Sequence, residues 1–417
     1  MVEQRTAIGG NLDFDWSAPN AMDDGYIQRM LKLQDTHRVF WSDHQQAWIV
    51  SRHEDILEAL NDTRLSNSRF HLPLESYAKA NGIDAQGLVE SVRGWVFNMD
   101  GDNHQRLRGL MLKPFSKARI RQYENGLERI FSSILDDVEE RDSIEFVSEI
   151  AFSFVSKALL HIVGLEGAVS HEQVIRWGRA IEQGIVPPWR GEESLRDANA
   201  VIDEVTAIIT AEIDKRRLEP RDDLLTDFVH SADDGGKLGI DDVVMIFQVL
   251  LLAAIDTTAN TLTLMVRVLS QSASHRDYIR NHPEKMTEII EELQRYVCMQ
   301  NMVHKIAAQD FVWHGQQIRK GDLVFLMLGI GNWDKSVYER PDVLDFERER
   351  KMPLMFSPGL HHCIGHNVAK LELEVGVRLL VERYSNVLLA EEQLNFKPNF
   401  MMRALERLDV RFVRNNG

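Results

Sequence analysis

The sequence predicts a mainly α-helical fold with a minor β region. Apolar residues recur at three- and four-residue steps over long stretches, above all at about 240–270. The composition is that of a globular protein, with 44% hydrophobic and 27% charged residues among 417. Strand-like runs are short and fall at about 38–51, 311–327 and 386–413. We expect a single domain, 1–417, with its helix-rich core at about 98–385.

Each element follows from its local pattern. The first thirty residues mix Asp, Asn, Pro and Gly and are expected to be irregular. Residues 61–97 lack a clean period and predict a loop with helical fragments. Helices are expected at 54–60, through 104–217, from 220, and at 240–270 and 284–296. A hairpin is expected at 38–41 and 47–50, and strands at 311–313, 317–318, 323–326, near 388 and at 408–413.

Charge and cysteine content narrow the class of protein. A formal net charge of −16 argues against nucleic acid as a partner. The two cysteines, Cys298 and Cys363, give no disulfide framework, which favours the cytoplasm. The N-terminus shows no signal-peptide pattern. The longest apolar run, 243–255, is shorter than a membrane span and predicts a buried helix.

The most informative segment is 356–365, which leads into an apolar-periodic helix expected to begin at about Cys363. The free N–H groups and the positive dipole end of a helix N-terminus favour a thiolate over a thiol. Gly359 and Gly365 stand where the backbone turns tightly or approaches something flat and large. A thiolate in this position is a good axial ligand for haem iron.

The residues alone leave two other interpretations open. Cys363 could be an ordinary buried cysteine, since free cysteines are usually inert and buried. A zinc site could also form here, although no paired Cys-x-x-Cys or distant histidine pair completes it. Its ligands would be His361, His362, Cys363 and His366.

The spacing Phe356-x-x-Gly359-x-His361-x-Cys363-x-Gly365 resembles the haem-binding loop of the cytochrome P450 family, the haem-thiolate mono-oxygenases. Further family landmarks stand in the same order across most of the chain. The resemblance implies the P450 fold, a triangular helical prism around haem, and haem b with the Cys363 thiolate as axial ligand.

A second segment, 253–258, places Asp256 and Thr257 inside an apolar helix. Buried polar groups are costly unless they are paired or functional. The two residues could therefore face a neighbouring element in helix packing, or they could take part in catalysis. The segment resembles the family's oxygen-activating motif. The resemblance implies that Thr257 and Asp256 support proton delivery and that Ala253 contacts the cofactor. Ala254 stands where the family usually has glycine.

Anion-binding candidates lie elsewhere in the chain. His104 and Arg108 are one helical turn apart and can point at one anion, although a solvated helix face would show the same spacing. The resemblance implies that they hold a haem propionate and that His361 helps with the other. His304 stands where the family commonly has arginine, and histidine is the weaker, pH-dependent anion partner.

Glu292 and Arg295 lie three residues apart on one helix face, a spacing usually seen in surface ion pairs. The resemblance implies instead a buried structural pair that Arg348 completes. Trp333 stands where the family most often has arginine, and the sequence offers no physical account of that change.

Substrate contacts follow from the resemblance alone. They are expected at 65–97 and 170–190, and at Leu252, Ala253, Gln300, Asn301, Met302, Phe400, Met401 and Met402. The methionines are adaptable apolar walls, or simply part of the core.

The resemblance also implies partners. Arg106, Lys113, Lys117, Arg119 and Lys370 are expected on the cysteine side of the haem, as a basic patch or as scattered solubilising charge. The partners would be a small organic substrate, dioxygen, and a ferredoxin or flavodoxin with its reductase, without nucleic acid or a membrane span.

The function expected is insertion of one oxygen atom into a small organic substrate, a secondary metabolite, terpenoid or aromatic compound. Two alternatives stay open. One is oxidative coupling or desaturation on the same fold, with a carrier-tethered substrate as one form. The other is a haem sensor without turnover.

Overall fold

The computed structural model describes residues 15–415 apart from 17, 19, 186–190, 234–238, 352 and 392. Over these residues α-helix dominates, as the sequence predicts. The helices are α1 Asp24–Thr36, α2 His53–Asn61, α3 His71–Ala80, α4 Gln86–Gly94, α5 Gly101–Met111, α6 Lys117–Ile120, α7 Glu124–Val138, α8 Ser153–Val163, α9 His171–Gly184, α10 Glu192–Leu218, α11 Leu224–Asp233, α12 Ile240–Ser270, α13 Ala273–Asn281, α14 Met286–Val297, α15 Leu328–Gly331 and α16 His366–Arg383.

Within the described part of the chain, short strands form three small sheets. The strands are β1 Val39–Ser42, β2 Ala47–Val50, β3 Leu65–Ser66, β4 Ile144–Glu145, β5 Val303–Ala307, β6 Phe311–Trp313, β7 Gln316–Ile318, β8 Leu323–Leu326, β9 Tyr384–Leu389 and β10 Asp409–Arg414. The five-stranded sheet has the order β1-β2-β8-β5-β3, the three-stranded sheet β4-β10-β9, and β6 pairs with β7. Hence residues far apart in sequence meet at the five-stranded sheet.

The long helix α12 organises the helical region. It covers 31 residues, with the bounds that its apolar periodicity predicts. At its start, the Asp242 carboxylate accepts the Gly239 N–H at 2.9 Å, which caps the helix. It packs against α8, α9, α10, α14 and α16. Because neighbours cover it on several sides, most of its side chains are buried.

Two helical stretches, Phe146–Val163 and Ile240–Ser270, are long and apolar enough to cross a membrane by length and composition. In the fold, 78% and 61% of their most apolar windows are buried. Burial inside the protein therefore accounts for their hydrophobicity.

Two hydrophobic cores support the site. The larger one joins the helices with α1 and the C-terminal strands. The smaller one lies between the five-stranded sheet and α2, and includes Trp41, Trp48, Ile56 and Leu326.

Several elements differ from the sequence-based expectation, including helix α13 and strands β3 and β4, which the sequence did not predict. Helix α1 lies in the segment expected to be irregular, because Tyr26, Ile27, Met30 and Leu31 form a buried face despite the polar composition. Strand β5 was not predicted, and it owes its place to pairing with both β8 and β3. The helix after the cysteine loop begins at His366 rather than at Cys363.

Candidate active site

The cysteine loop is a set of turns that ends at the start of α16. The Cys363 N–H donates to the Phe356 carbonyl oxygen at 2.9 Å, and the His362 N–H donates to the Gly359 carbonyl oxygen at 3.1 Å. Gly359 has φ +138°, a conformation that favours glycine. Because these turns hold Cys363, the helix starts three residues later than predicted.

The Cys363 thiol lies in a mixed electrostatic environment. Burial raises its pKa, while the Gly365 and His366 N–H groups and the Arg108 guanidinium favour the thiolate. As the sequence analysis predicts, backbone N–H groups near the start of the helix stabilise the thiolate. Burial raises the pKa of Cys363 by more than these groups lower it. Coordination to a metal would deprotonate the sulfur outright.

The zinc interpretation finds no support in the described part of the chain. There, a metal-compatible grouping of three His, Cys, Asp or Glu side chains occurs only at Asp55, Glu58 and His314. The four candidate zinc ligands of the cysteine loop do not form such a group.

Beside the cysteine loop, two histidines and an arginine form a cluster suited to carboxylates. The His104 and His361 rings stack with centroids 4.1 Å apart. His361 Nδ1 is buried without a hydrogen-bond partner, and its Nε2 lies 3.7 Å from the Asp100 carboxylate. Arg108 is half-buried and forms no ion pair with any residue that the structure describes. An unpartnered buried donor beside a free guanidinium fits the two carboxylates of haem.

His304 differs from the arginine that the family pattern leads one to expect. It lies on β5, and its ring packs on Phe70 with centroids 4.7 Å apart. Burial, with the Lys305 ammonium next to it, lowers the pKa of His304 to about 4. The imidazole is therefore neutral at neutral pH and can offer a hydrogen bond but not a positive charge.

On α12, the segment that holds Asp256 and Thr257 is accessible along one side. The Thr257 hydroxyl donates to the Ala253 carbonyl oxygen at 2.8 Å, a back-bond typical of threonines that bend helices. Ala253 is exposed and Ala254 half-exposed, although most of the helix is buried. The geometry therefore places an acid and a hydroxyl beside an accessible stretch of the helix.

The sequence analysis did not identify two cationic side chains near Asp256, those of Lys397 and Arg179. Burial raises the pKa of the Asp256 carboxyl, and Lys397 and Arg179 oppose that shift. Both cations lie over the ring of Phe152, at 5.4 and 5.6 Å. Since they come from α9 and from the C-terminal segment, no local pattern in the sequence could have joined them.

Glu372 on α16 was also missed. It is 1% exposed, and burial raises its pKa to about 8, against a smaller lowering by the Thr258 hydroxyl. The sequence did contain one signal for Glu372: it is an acidic residue on the apolar face of α16, one turn after Val368.

The structural triad has the expected contacts. Arg295 donates to both Glu292 carboxylate oxygens at 2.8 and 2.9 Å, and Arg348 Nε donates to one of them at 3.2 Å. Arg295 also donates to the carbonyl oxygens of Asn332 and Pro341. The triad thus ties α14 to the segment before the cysteine loop.

Trp333, which replaces an arginine of the family pattern, is a packing residue. Its indole N–H donates to the Tyr296 carbonyl oxygen at 3.1 Å, and the two rings lie 5.3 Å apart. The aromatic pair supplies contact area at the end of α14 in place of a charge.

The expected substrate residues fall into two groups. Leu252, Gln300, Phe400, Met401 and Met402 are half-buried, and Ala253 is exposed. Asn301 and Met302 are each 1% exposed.

The Asn301 side chain makes its hydrogen bonds inside the protein. It accepts a hydrogen bond from the Tyr26 hydroxyl at 2.7 Å and donates one to the Phe400 carbonyl oxygen at 2.8 Å, so it links α1 to the C-terminal segment. Of the expected 170–190 contact region, residues 186–190 lie outside the described part of the chain.

The expected basic patch is largely neutralised. Arg106 donates twice to Asp242, at 2.9 and 3.0 Å, and Lys370 donates to Glu291 at 2.7 Å. Arg119 is paired with Asp222 and Asp227. Three of the five candidate cations are therefore committed to ion pairs within the protein.

Comparison with known proteins agrees with the geometry. The cytochrome P450 family model matches residues 185–409, more than half of the chain. The polyketide biosynthesis cytochrome P450 PksS of Bacillus subtilis (strain 168) is 26% identical over 367 residues, 87% of this chain and 88% of that protein. The 6-deoxyerythronolide B hydroxylase of Saccharopolyspora erythraea is 27% identical over 379 residues, 88% of this chain and 90% of that protein.

A solved structure gives the same result. P450BioI in complex with an acyl carrier protein ligated to hexadec-9Z-enoic acid superposes with a TM-score of 0.84 at 26% identity, over 94% of this chain and 100% of that chain. The helical fold, the cysteine loop with its unpartnered donors, and the family match lead to one conclusion: the chain belongs to the cytochrome P450 family of haem-thiolate mono-oxygenases, with Cys363 as the axial haem ligand.

Proposed function

We propose that this mono-oxygenase acts on a secondary metabolite in the cytoplasm and takes its electrons from a separate ferredoxin or flavodoxin system. Bound haem supplies the activation of dioxygen and the transfer of one oxygen atom to the substrate. The chain's own residues bind the haem, exclude water and deliver protons.

The observation that carries the proposal is the Asp256–Thr257 pair at the accessible turn of α12. The Thr257 hydroxyl, donating to the Ala253 carbonyl oxygen at 2.8 Å, keeps its oxygen free to accept a hydrogen bond. Burial raises the pKa of the Asp256 carboxyl, which makes the protonated form easier to reach than in an exposed carboxylate. Asp256 thus relays protons and Thr257 orients the water that receives them.

On the cysteine side, His104, Arg108 and His361 would hold the haem carboxylates. Burial lowers the pKa of His104 to about 4, with a further lowering by His361 and Arg108. His104 therefore contributes as a neutral hydrogen-bond donor, and Arg108 supplies the positive charge. Phe356, Gly359 and Gly365 shape the loop around Cys363.

The substrate class rests on relatives. PksS is named for polyketide biosynthesis and the hydroxylase for 6-deoxyerythronolide B, and both align along most of the chain. We propose a substrate of comparable type, a medium-sized and mostly apolar secondary metabolite. The half-buried Phe400, Met401 and Met402 would supply adaptable apolar contacts.

A second candidate function is oxidation of a carrier-tethered acyl chain, including coupling or desaturation. It is favoured by the likeness to P450BioI, which was solved with a ligated acyl carrier protein. Product mass separates the two reactions, since oxygen insertion adds one oxygen atom whereas coupling or desaturation removes two hydrogens.

The test of the proton-delivery role is Thr257→Ala. We expect reductant to be consumed with at least a tenfold lower yield of product and with release of peroxide, because protons no longer arrive at the correct position. Thr263→Ala is the matched control, since the Thr263 hydroxyl makes the same back-bond, to Ala259 at 2.8 Å, deep in the core. Unchanged coupling in Thr257→Ala would refute the assignment.

A further inference from the structure

The segment between α14 and β5 brings one polar side chain to an accessible position. Met299 is 2% exposed and Asn301 is 1% exposed, whereas Gln300 between them is half-buried. A β-bridge pairs Gln300 with Met402 in the C-terminal segment. The side chain of Gln300 therefore reaches open space that its two sequence neighbours do not reach.

Backbone carbonyl groups fix the orientation of the Gln300 amide. Its Nε2 donates to the Met302 carbonyl oxygen at 2.8 Å and to the Met401 carbonyl oxygen at 3.4 Å. Because both of these groups are acceptors, it must be the amide nitrogen and not the amide oxygen that faces them. Both amide hydrogens are then used, and the side-chain oxygen Oε1 remains as an acceptor.

This acceptor lies in apolar surroundings. No residue that the structure describes donates a hydrogen bond to Oε1 of Gln300. The adjacent side chains of the C-terminal segment, Phe400, Met401 and Met402, are half-buried and apolar. A polar acceptor in an apolar wall is costly when a ligand displaces its water, unless the ligand supplies a donor. The position is therefore suited to a ligand that is mostly apolar and carries one donor.

Two chain segments connect Gln300 to the parts of the haem site. Burial raises the pKa of Asp256, and Lys397, five residues before the β-bridge to Gln300, is near enough to lower it. Lys305, five residues after Gln300, contributes in the same way to the low pKa of His104, behind burial and other charges. Five residues span at most about 18 Å. Gln300 therefore lies between the proton-delivery turn and the carboxylate-binding cluster.

We infer that the Gln300 side-chain oxygen binds a hydroxyl group of the substrate and thereby orients an otherwise apolar metabolite in the site. The inference rests on the proposed function, whose substrate class it narrows. A substrate with acceptors alone, such as a ketone, finds no partner at Gln300, because both amide hydrogens are already bonded. The site therefore distinguishes an alcohol from the corresponding ketone.

The test is optical titration of the ferric holoenzyme with matched alcohols, ketones and hydrocarbons, followed by the low-spin to high-spin shift of the haem. The probes are menthol, menthone and menthane, and androstanol, androstanone and androstane. We expect each alcohol to bind about tenfold more tightly than its ketone, since the ketone leaves the Gln300 acceptor unpaired.

Gln300→Met isolates this contact, because methionine keeps a long, unbranched side chain but is a weak acceptor. The preference for the alcohol should fall to less than about twofold. Gln317→Met is the matched control, since Gln317 is exposed on β7 and its loss should change no affinity. Met401→Ala should weaken all members of a series alike, because it removes apolar contact alone.

Gln300→Met also removes two hydrogen bonds that tie this segment to its surroundings. The reduced carbon-monoxide spectrum and the melting temperature show whether the variant still folds around haem. If it does not, the order of affinities in the parent protein decides. We then expect the alcohol to bind most tightly and the ketone to bind no better than the hydrocarbon, whereas an effect of polarity alone would place the ketone between them.

Two results would overturn the inference and leave the proposed function intact. A ketone that binds the parent as tightly as its alcohol would mean that Oε1 keeps a bound water. A preference for the alcohol that persists in Gln300→Met would mean that another residue binds the hydroxyl. If neither series binds to a parent that forms the thiolate-type carbon-monoxide complex, the proposed substrate class fails together with the inference. Absence of that complex in the parent would instead contradict the haem-thiolate assignment.

Discussion

The cysteine side and the α12 side of the site differ in whether their polar groups find partners inside the protein. On the cysteine side, His361 Nδ1 is buried without a hydrogen-bond partner, and Arg108 forms no ion pair with the described residues. On the α12 side, the Thr257 hydroxyl is already bonded to its own helix at 2.8 Å. Unsatisfied buried donors are expected where an anionic group binds.

We infer that the cysteine side binds haem and that the α12 side supports the reaction. Substitutions on the cysteine side should change how tightly haem is held and what its spectrum looks like. Substitutions on the α12 side should leave haem content alone and change how efficiently electrons yield product.

The largest effect is expected for His104→Ala combined with Arg108→Ala. Losing a hydrogen bond to a charged group costs about 1.5–3 kcal/mol, so loss of both contacts should speed haem dissociation by roughly 100- to 10,000-fold. Transfer of haem to an acceptor apoprotein measures the rate. Arg106→Ala is the control, because Arg106 lies on the same helix but is paired with Asp242. Full haem retention in the double variant would contradict the claim that the cysteine side binds the haem carboxylates.

A smaller effect is expected on the α12 side for Asp256→Asn. Product formation should fall about tenfold and the solvent isotope effect should rise, because an amide cannot relay protons. Haem content and the carbon-monoxide spectrum should match those of the parent. If haem is lost instead, Asp256 belongs to the binding side and the separation fails.

The smallest effect concerns His304, whose pKa of about 4 lies below its ordinary value of 6.5. Because the folded protein lowers the pKa of His304, this residue contributes to stability above pH 6.5. The contribution is lost as the pH falls toward 4, since the unfolded chain then binds a proton that the folded protein does not. Between pH 7 and 5 this amounts to about 1–2 kcal/mol.

The measurement is the holoenzyme's unfolding free energy against pH, compared with His304→Gln. The variant should lose less stability on acidification than the parent. A parent that instead loses stability as the pH rises through neutrality would show a charged His304 that pairs with an anion.

Local spacing explains what the sequence could predict. The cysteine loop, the Glu292–Arg295 pair and the Asp256–Thr257 pair each lie within one short segment, and helix α12 has an unbroken apolar period. Their residue types and spacing carry the resemblance to the cytochrome P450 family, and that resemblance implied the fold and the cofactor.

Contacts between distant segments explain what it could not. Arg106 meets Asp242 and Lys370 meets Glu291 across the fold, so ion pairs neutralise these two cations of the predicted basic patch. Asn301 was expected near substrate but bonds to Tyr26, 275 residues earlier. Lys397 and Arg179 approach Asp256 only after the C-terminal segment and α9 have packed.

The most direct measurement is the reduced carbon-monoxide difference spectrum of the parent, Cys363→Ser and Cys298→Ser. Cys298 is the matched control, since its buried thiol donates to the Gly329 carbonyl oxygen at 2.9 Å. We expect the thiolate signature in the parent and in Cys298→Ser, and its loss in Cys363→Ser. An unchanged signature in Cys363→Ser, or none in the parent, would contradict the assignment of Cys363 as the haem ligand.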